Sequence, residues 1–336
     1  MTIGRRTRWV ALRTAYGGGA VGALGAASYA LLAVEAKLAR KAIGLPTEHA
    51  PDASGTYGKR SGKLLHLAVL GDSSATGLGC ESADQTPGAL LAGGMARDLR
   101  RRVALDVVGT TGARSSDLPA QVRFAQRRPV DIALIMIGAN DVTHRIQPAD
   151  AARDLATAVR DLRAQGALVV VGTCPDLGTV EPLLQPLKTL AAHWSRRLAR
   201  AQAVAVVEAG GVAVSLRDLL AVEFGSSPHY WSADRFHPSP EGYRRVADAL
   251  LPSLLEAVGV SIPVSVPVSE SVEDIEVAAT VAVREPGVAL ESADGPGGAA
   301  AAGPGRLARL RRRLPLRGRG APDPRVADLP SPEESA

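Results

Sequence analysis

Short apolar runs alternate with longer amphipathic stretches between residues 63 and 258. Five runs rich in Val, Leu and Ile predict buried strands, namely Leu64–Leu70, Leu105–Val108, Asp131–Ile137, Ala167–Val171 and Val204–Val207. Between them lie five predicted helices, at 87–102, 115–127, 148–165, 182–202 and 239–257. Strands that alternate with helices pack as a parallel sheet covered on both faces. The pattern therefore predicts an α/β protein, with a three-layer α/β/α domain and a five-stranded parallel sheet at 63–258.

The segments on either side of this domain lack the alternation. Residues 42–62 contain several Gly and Pro and are predicted to be a linker. Residues 259–336 combine Pro, Gly and Ala with scattered acids and offer too little apolar material for a core, so we expect a disordered tail. A cluster of arginines between Arg306 and Arg319 could bind anionic lipid headgroups, and a solvated tail without a fixed partner is the alternative.

The N-terminal arm, residues 1–41, carries a stretch without charge from Thr14 to Val34, preceded by four arginines. A helix needs about 20 residues to cross the hydrocarbon core of a membrane, and this stretch is of that length. A membrane anchor and a cleaved signal peptide are both open, and a helix of a cytosolic protein is the alternative. The flanking basic residues predict that the rest of the chain lies outside the cytoplasm. Gly17–Gly22 fits a dinucleotide-binding pattern, but no strand precedes it, and small residues that ease helix packing explain it better.

Composition and charge narrow the class of protein. Hydrophobic residues make up 46% of the chain and charged residues 22%, as in ordinary globular proteins. The net charge of +5 arises mostly in residues 1–59, which hold eight Lys or Arg against three Asp or Glu. Aromatic residues make up only 3%, which argues against a protein that stacks single-stranded nucleic acid, and no nucleic-acid partner is expected. Cys80 and Cys174 form no CxxC pair, so a zinc site is unsupported, while one disulfide and two free thiols are both open.

Four short polar motifs stand where predicted strands end or where the last helix begins. They are Gly71-Asp72-Ser73-Ser74, Gly109-Thr110-Thr111-Gly112, Gly138-Ala139-Asn140-Asp141 and Asp234-Arg235-Phe236-His237-Pro238. Each motif alone is weak, because Gly, Asp and Ser are ordinary turn and capping residues. The carboxyl ends of parallel strands meet at one edge of a sheet, where ligands bind. We therefore expect the four motifs to form one site.

Together these motifs supply the parts of a nucleophilic reaction. A serine hydroxyl becomes nucleophilic when a base takes its proton, and the base needs a carboxylate to orient it. Ser73 can be the nucleophile and His237 the base, while Asp234 can reach Nδ1 of His237 if the segment makes one turn. The negative oxygen of the intermediate needs donors. The backbone N–H groups of Ser73 and Gly112 and the side-chain amide of Asn140 can provide them.

The four motifs, in this order, resemble those of the SGNH hydrolase family, also called GDSL lipases and esterases. The resemblance covers about residues 63–258, and the family's four named residues correspond to Ser73, Gly112, Asn140 and His237. It implies a flavodoxin-like sheet and hydrolysis of acyl esters of lipids or carbohydrates through an acyl-serine intermediate. The first motif reads GDSS instead of GDSL, and the second lacks the asparagine often seen before its glycine, which leaves Gly109 as a lesser oxyanion candidate. The GxSxG elbow is absent, which argues against the α/β-hydrolase fold.

Other residues and functions complete the predictions. Cys174, Tyr230 and Trp231 are predicted to line the substrate pocket, and Asp72 and Asp141 to hold turns. Hydroxyl, imidazole and amide groups suffice for the reaction, so no metal or organic cofactor is expected. An acyltransferase that uses the same nucleophile and a non-catalytic flavodoxin-like binding module are the alternative functions. Acyl-chain length, the alcohol part of the substrate and the oligomeric state are left open by the sequence.

Overall fold

The computed structural model describes residues 30–38, 41, 49–59, 62–216, 224–225, 227–260, 269–284, 288–293 and 307–312. Within them lie the strands β1 (Gly55–Tyr57), β2 (Leu65–Gly71), β3 (Val103–Val107), β4 (Ile132–Met136), β5 (Leu168–Gly172), β6 (Val212–Val214), β7 (Ser269–Asp274), β8 (Ala289–Ser292) and β9 (Leu307–Arg312). The helices are α1 (30–38), α2 (Ser73–Thr76), α3 (Pro87–Asp98), α4 (Leu118–Ala125), α5 (Ala139–Thr143), α6 (Pro148–Ala164), α7 (Leu187–Glu208), α8 (Pro240–Ala257) and α9 (Ile275–Ala282).

The strands of the described residues form a single mixed sheet in the order β1-β3-β2-β4-β5-β6-β8-β9-β7. Its centre, from β3 to β6, is parallel, with Leu67 opposite Ile132 and Val170 opposite Val212. At one edge β1 pairs antiparallel with β3, and at the other β8, β9 and β7 continue the sheet with antiparallel pairs. A five-stranded parallel sheet is thus present as predicted, but it is the centre of a larger mixed sheet.

Both faces of the central strands are covered because their apolar residues do not alternate with polar ones. In β2, Leu67 and Val69 join the core formed with α3 and α8, whereas Ala68 and Leu70 join the core formed with α4, α6, α7 and α9. Each buried aliphatic side chain of this kind contributes on the order of 1.5–3 kcal/mol. The three-layer α/β/α architecture predicted from the sequence is therefore confirmed.

One predicted strand is wrong. Val204–Val207 lies inside α7, which continues to Glu208, and the fifth parallel strand is β6, a few residues later. Val206 and Val207 are buried on the same helix face as Ala203, three and four residues earlier in the helix. Tertiary packing of that face outweighs the preference of valine for strands.

Parts of the predicted linker and tail are also structured, which contradicts those two predictions for the described residues. Residues 55–57 of the linker form β1 at the sheet edge, and β7, α9, β8 and β9 belong to the tail that we expected to be disordered. Two tail arginines bind carboxylates of the chain itself. Arg311 contacts Glu291 and Glu256, each at 3.1 Å, and Arg309 lies 3.9 Å from Glu291. These tail strands fold because they pack against a core that the rest of the domain provides, to which they add Leu290, Ala308 and Leu310.

The N-terminal arm lies mostly outside the described residues. Only residues 30–38 and 41 of it are described, so the predicted anchor or signal segment before residue 30 is not among them. None of the helices in the described ranges has the length and apolar character that crossing a membrane requires.

Candidate active site

The turn after β2 presents Ser73 at the carboxyl edge of the sheet. Gly71 has φ +134°, and a Cβ there would lie 1.8 Å from the carbonyl oxygen of Met136, so only glycine fits. Asp72 caps the short helix α2 by accepting a hydrogen bond from the Ser74 amide at 2.9 Å. Ser73 is the first residue of that helix, so its own amide N–H has no acceptor within the helix. The hydroxyl and the amide of Ser73 are thereby both brought to the rim.

A buried glutamine holds this turn in place. Gln121 of α4 accepts a hydrogen bond from Gly71 N at 2.8 Å and donates one to Gly71 O at 2.9 Å. A second buried glutamine, Gln202 of α7, accepts from Cys174 N at 2.8 Å and donates to the carbonyl of Ile137 at 3.0 Å. Sequence reasoning missed both residues, because a glutamine in an amphipathic helix gives no signal of burial. They fix the backbone around the ends of β2, β4 and β5.

The segment before α8 forms the tight turn that the spacing of Asp234 and His237 requires. Arg235 adopts φ +55°, and the carbonyl of His237 accepts a hydrogen bond from Ser232 N at 2.8 Å. His237 Nδ1 lies 2.5 Å from Asp234 Oδ2, and Nε2 lies 2.9 Å from Ser73 Oγ. With Nδ1–H donating to Asp234, Nε2 is left to accept the hydrogen of the serine hydroxyl. Two side chains 164 residues apart in the sequence thus meet as expected.

The carboxylate of Asp234 is surrounded by donors. Besides His237 Nδ1, the amides of Phe236 and His237 donate to Oδ1, each at 2.9 Å, and the Ser232 hydroxyl donates at 2.7 Å. Burial raises the pKa of Asp234, but the hydrogen bonds from His237, Ser232 and Phe236 outweigh burial and lower the pKa well below its usual value. Asp234 is therefore ionised at neutral pH and can stabilise positive charge on His237.

Of the two other aspartates of the motifs, Asp72 lies in the turn after β2, as predicted, whereas Asp141 lies in the short helix α5 and not in a turn. Asp72 is 1% exposed, and burial raises its pKa despite the hydrogen bonds from Ser74. Asp141, also 1% exposed, accepts hydrogen bonds from the amide and hydroxyl of Ser115, and burial raises its pKa as well. Its contacts join the loop after β4 to the loop after β3.

Two of the three predicted oxyanion donors, Gly112 and Asn140, lie on the segments that follow β3 and β4. The side-chain amide of Asn140 donates one hydrogen bond to Ala113 O at 3.0 Å, and Ala113 is the neighbour of Gly112 in the sequence. The amide of Asn140 has two N–H groups, so its second N–H is left for another acceptor. Gly112 has φ +84° and is exposed, with open space where a Cβ would point. Gly109, the lesser candidate, donates its N–H to Val69 O at 3.1 Å within the fold. Gly112 is accordingly the better donor of the two.

A narrow cavity of about 60 Å³ opens beside Ser73 and His237. Its inner wall is apolar and consists of Met136, Gly172, Leu216, Tyr243 and Val246. Of the three predicted pocket residues, Trp231 lines this cavity. Cys174 and Tyr230 are absent from its lining: Cys174 is fully buried against Gly138, and Tyr230 stacks on Phe224 with ring centroids 5.1 Å apart.

The two cysteines are free and buried, so the disulfide that the sequence left open does not form. Burial raises the pKa of the Cys80 thiol to about 12, with a contribution from the nearby Asp84 carboxylate. Burial also raises the pKa of Cys174 well above its usual value. Both thiols are protonated at neutral pH and unreactive.

The fold and the site together define a class of protein, the SGNH-type hydrolases, whose four motifs occur here at one edge of an α/β/α sheet. The model of the GDSL-like lipase/acylhydrolase family matches residues 69–245. A GDSL-like esterase of Mycobacterium tuberculosis, Rv1075c, is 43% identical over 241 residues, which cover 68% of this chain and 77% of that protein. The chain belongs to the GDSL-like lipase/acylhydrolase family and is a hydrolase that acts on ester bonds.

Solved structures with the same kind of fold include a putative SGNH hydrolase from Slackia heliotrinireducens, with a TM-score of 0.44 and 22% identity over 57% of this chain and all of that one. Another is the psychrotrophic esterase EstA from Pseudoalteromonas sp., with a TM-score of 0.45 and 14% identity over 57% of this chain and 96% of that one. Family membership rests on the sequence comparisons and not on these likenesses.

Proposed function

We propose that the chain hydrolyses carboxylic esters through an acyl-serine intermediate, with Ser73 as nucleophile, His237 as base and Asp234 as its orienting carboxylate. The observation that carries the proposal is the continuous chain of contacts from Ser73 Oγ through His237 to Asp234, at 2.9 Å and 2.5 Å. Neighbouring hydroxyl and imidazole groups of this kind activate a serine that would otherwise be a poor nucleophile.

In the first half of the reaction, Ser73 Oγ forms a bond to the ester carbonyl carbon while its proton passes to His237 Nε2. The electron pair of the carbonyl moves to the oxygen, which the Ser73 and Gly112 amides and Asn140 stabilise. When the carbon–oxygen bond to the alcohol breaks, the alcohol takes the proton from His237 Nε2. Asp234 stabilises the imidazolium that exists between these two transfers.

In the second half, water replaces the alcohol. His237 Nε2 takes a proton from the water as its oxygen bonds to the acyl carbon, and the same donors hold the oxyanion. Breakage of the Ser73 Oγ–acyl bond then releases the carboxylic acid and returns the proton to Ser73. The reaction regenerates every group without an additional reagent.

The acyl part of the substrate fits the apolar cavity beside Ser73. One water-sized group, which is about one heavy atom, needs about 10–15 Å³ of cavity volume. The cavity of about 60 Å³ therefore admits four to six heavy atoms. The alcohol part then extends toward the exposed rim at Thr110 and Gly112. We propose short-chain esters as the preferred substrates.

Reaction with a serine-directed fluorophosphonate tests the nucleophile directly. We expect one label per chain, on Ser73, and no label on the Ser73→Ala variant. A flavodoxin-like binding module without an activated serine would not react, and labelling of another serine would contradict the assignment.

Product analysis with an added sugar or lipid alcohol separates hydrolysis from acyl transfer. We expect the free acid as the main product.

We further propose that the uncharged stretch from Thr14 to Val34 attaches the chain to a membrane or directs its export, with the catalytic domain outside the cytoplasm. The support is its length and its flanking basic residues. Fractionation of cells that express the full chain, with and without protease added from outside, tests the proposal. Recovery in the soluble cytoplasmic fraction would contradict it.

A further inference from the structure

A buried carboxylate joins the described part of the N-terminal arm to the body of the domain. Glu35 of α1 is 5% exposed, and its Oε2 accepts a hydrogen bond from Leu187 N at 2.9 Å. Leu187 is the first residue of α7, where the helix leaves amide N–H groups without partners and favours negative charge. The contact fixes α1 against the start of α7, 152 residues away in the sequence.

Exposed apolar side chains surround this contact. Leu31, Val34 and Leu38 lie at positions i, i+3 and i+7 of α1, which places them on one side of the helix. Leu184 and Leu190 flank Leu187 at three residues on either side. All five are about half exposed, at 47–55%, and we call them the apolar patch. Among the described residues the other exposed large apolar side chains, Phe124, Val277 and Leu307, lie on three different elements.

The apolar patch adjoins the mouth of the active site. Leu184 follows Val180 by four residues, and Val180 lines the cavity beside Ser73. Leu183, between them, packs in the cluster that contains Trp231 and Phe236. Arg235 of the turn between Asp234 and His237 reaches across to Glu181 at 3.3 Å. A surface that covered the patch would therefore lie next to the entrance of the site.

The chemistry around the patch points to a lipid surface as its occupant. The uncharged stretch from Thr14 to Val34 runs directly into α1 and shares Leu31 and Val34 with the patch. Lys37, Lys41 and Lys188 lie close to it in the sequence, and no Asp or Glu occurs between Pro182 and Val207. Exposed apolar side chains on segments that also carry lysines bind at the boundary between headgroups and acyl chains of an anionic bilayer.

We propose that the apolar patch rests on an anionic lipid bilayer and holds the active-site mouth at its surface, where the enzyme draws ester substrates from the lipid phase. This inference rests on the proposed function and adds the face through which the enzyme meets its substrate.

The activity test uses the full chain with Leu184→Gln and Leu190→Gln combined, both at exposed positions. Its matched control is Phe124→Gln, a substitution of an equally exposed apolar residue on α4. The vesicle substrate is a fluorogenic butyrate ester whose alcohol part carries a long alkyl chain, so that the acyl group fits the cavity while the molecule stays in phosphatidylcholine–phosphatidylglycerol vesicles. We expect its hydrolysis to fall on the order of tenfold, as half-burial of two leucines implies. Hydrolysis of dissolved p-nitrophenyl acetate should stay within about twofold of wild type. An equal loss in the control, or an unchanged ratio of the two rates, would overturn the inference.

A second measurement does not depend on catalysis. Because Cys80 and Cys174 are buried and protonated, Leu190→Cys can be labelled alone with an environment-sensitive dye. We expect a blue shift of its emission on addition of the anionic vesicles, and none for the same label on Phe124→Cys. No shift at position 190, or a dimer in sedimentation that the double Gln substitution dissociates, would refute the lipid surface. Inactivity toward p-nitrophenyl acetate with a shift still present would instead count against the proposed function alone.

Discussion

The two halves of the sheet differ in what their loops and strands carry. The parallel strands β3 to β6 are mostly apolar, with His66 and Asp106 as exceptions, and the segments after their carboxyl ends bear Ser73, Gly112 and Asn140. The antiparallel strands β8, β9 and β7 carry charges, and their described contacts are structural: Glu291, 4% exposed, faces Arg311, which also reaches Glu256 of α8. Both halves belong to one continuous sheet, yet among the described residues the candidate catalytic side chains lie at the parallel half.

The difference follows from how each kind of pairing is connected. Parallel strands need a crossover helix between them, so their carboxyl ends all release loops at the same edge, where side chains from distant segments converge. Antiparallel strands release their loops at alternating edges and gather no such set. Substitutions in the parallel half should therefore change activity more than stability, and those in the antiparallel half should do the reverse.

The largest effect is expected from Ser73→Ala. Loss of the nucleophile should lower kcat/KM for p-nitrophenyl butyrate on the order of 10⁴–10⁶-fold, since a triad acts as a unit. The free energy of unfolding in urea should change by no more than about 1.5 kcal/mol, because the substitution removes the hydrogen bond between Ser73 Oγ and His237 Nε2. Turnover near that of wild type would remove Ser73 from its role.

The Asp234→Asn substitution should lower both the turnover and the stability of the fold. Turnover should fall on the order of 10⁴-fold, because the amide favours the wrong tautomer of His237. The lowered pKa of Asp234 means that its ionised form stabilises the fold, fully above the unfolded pKa of about 4 and progressively less as the pH falls below it. We expect the variant to be less stable than wild type at pH 7 by about 1–3 kcal/mol, with the gap closing toward pH 2 in urea titrations. A gap that widened on acidification would contradict this sign.

Asn140→Ala tests the oxyanion site. Loss of one donor should lower kcat on the order of 10²–10³-fold with little change in KM, since the donor acts on the transition state. Asn140→Asp offers a comparison, because it keeps the shape of the side chain while it replaces the donor amide with an acceptor carboxylate. A kcat near that of wild type in both variants would remove Asn140 from the oxyanion site.

Glu291→Gln addresses the antiparallel half. It removes the buried charge opposite Arg311 and should lower the free energy of unfolding by about 1–3 kcal/mol, with the partial exposure of the arginine reducing the loss. The kcat of the folded fraction should stay within about twofold of wild type. A selective loss of kcat with stability intact would show that the two halves are not divided as we describe.

Leu216→Ala should change the rate least among these variants, but it should change the preference for acyl-chain length. The Leu216 side chain packs against Gly172, where a Cβ would lie only 2.6 Å from Leu216 Cδ1. Shortening Leu216 should deepen the cavity and shift the preference from butyrate to hexanoate or octanoate esters by about 3–10-fold, the value of one or two methylenes. Leu255→Ala, at a buried position outside the cavity, controls for lost stability. The same shift in that control would exclude Leu216 as the determinant.

Most of the parallel half and its chemistry could be predicted from the sequence. Largely apolar runs indicated β2, β4 and β5, because strands buried on both faces need apolar residues at most positions. The first and last of the four motifs contained Ser73, Asp234 and His237, which meet at the edge where the parallel strands end. Val204–Val207 was misread because a valine-rich helix face and a strand have the same composition. The tail was misread for a related reason: its short strands have too little apolar surface to fold alone.

What the sequence by itself determined is the alternation of strands and helices in the parallel half, the candidate catalytic side chains and the sheet edge on which they stand, since these follow from local periodicity and chain direction. Only the tertiary structure decided which polar residues are buried, such as Gln121 and Gln202, that Glu35 binds the start of α7, and that the tail extends the sheet. Those outcomes depend on surfaces brought together from distant parts of the chain, and no local pattern records the free energy gained when they meet.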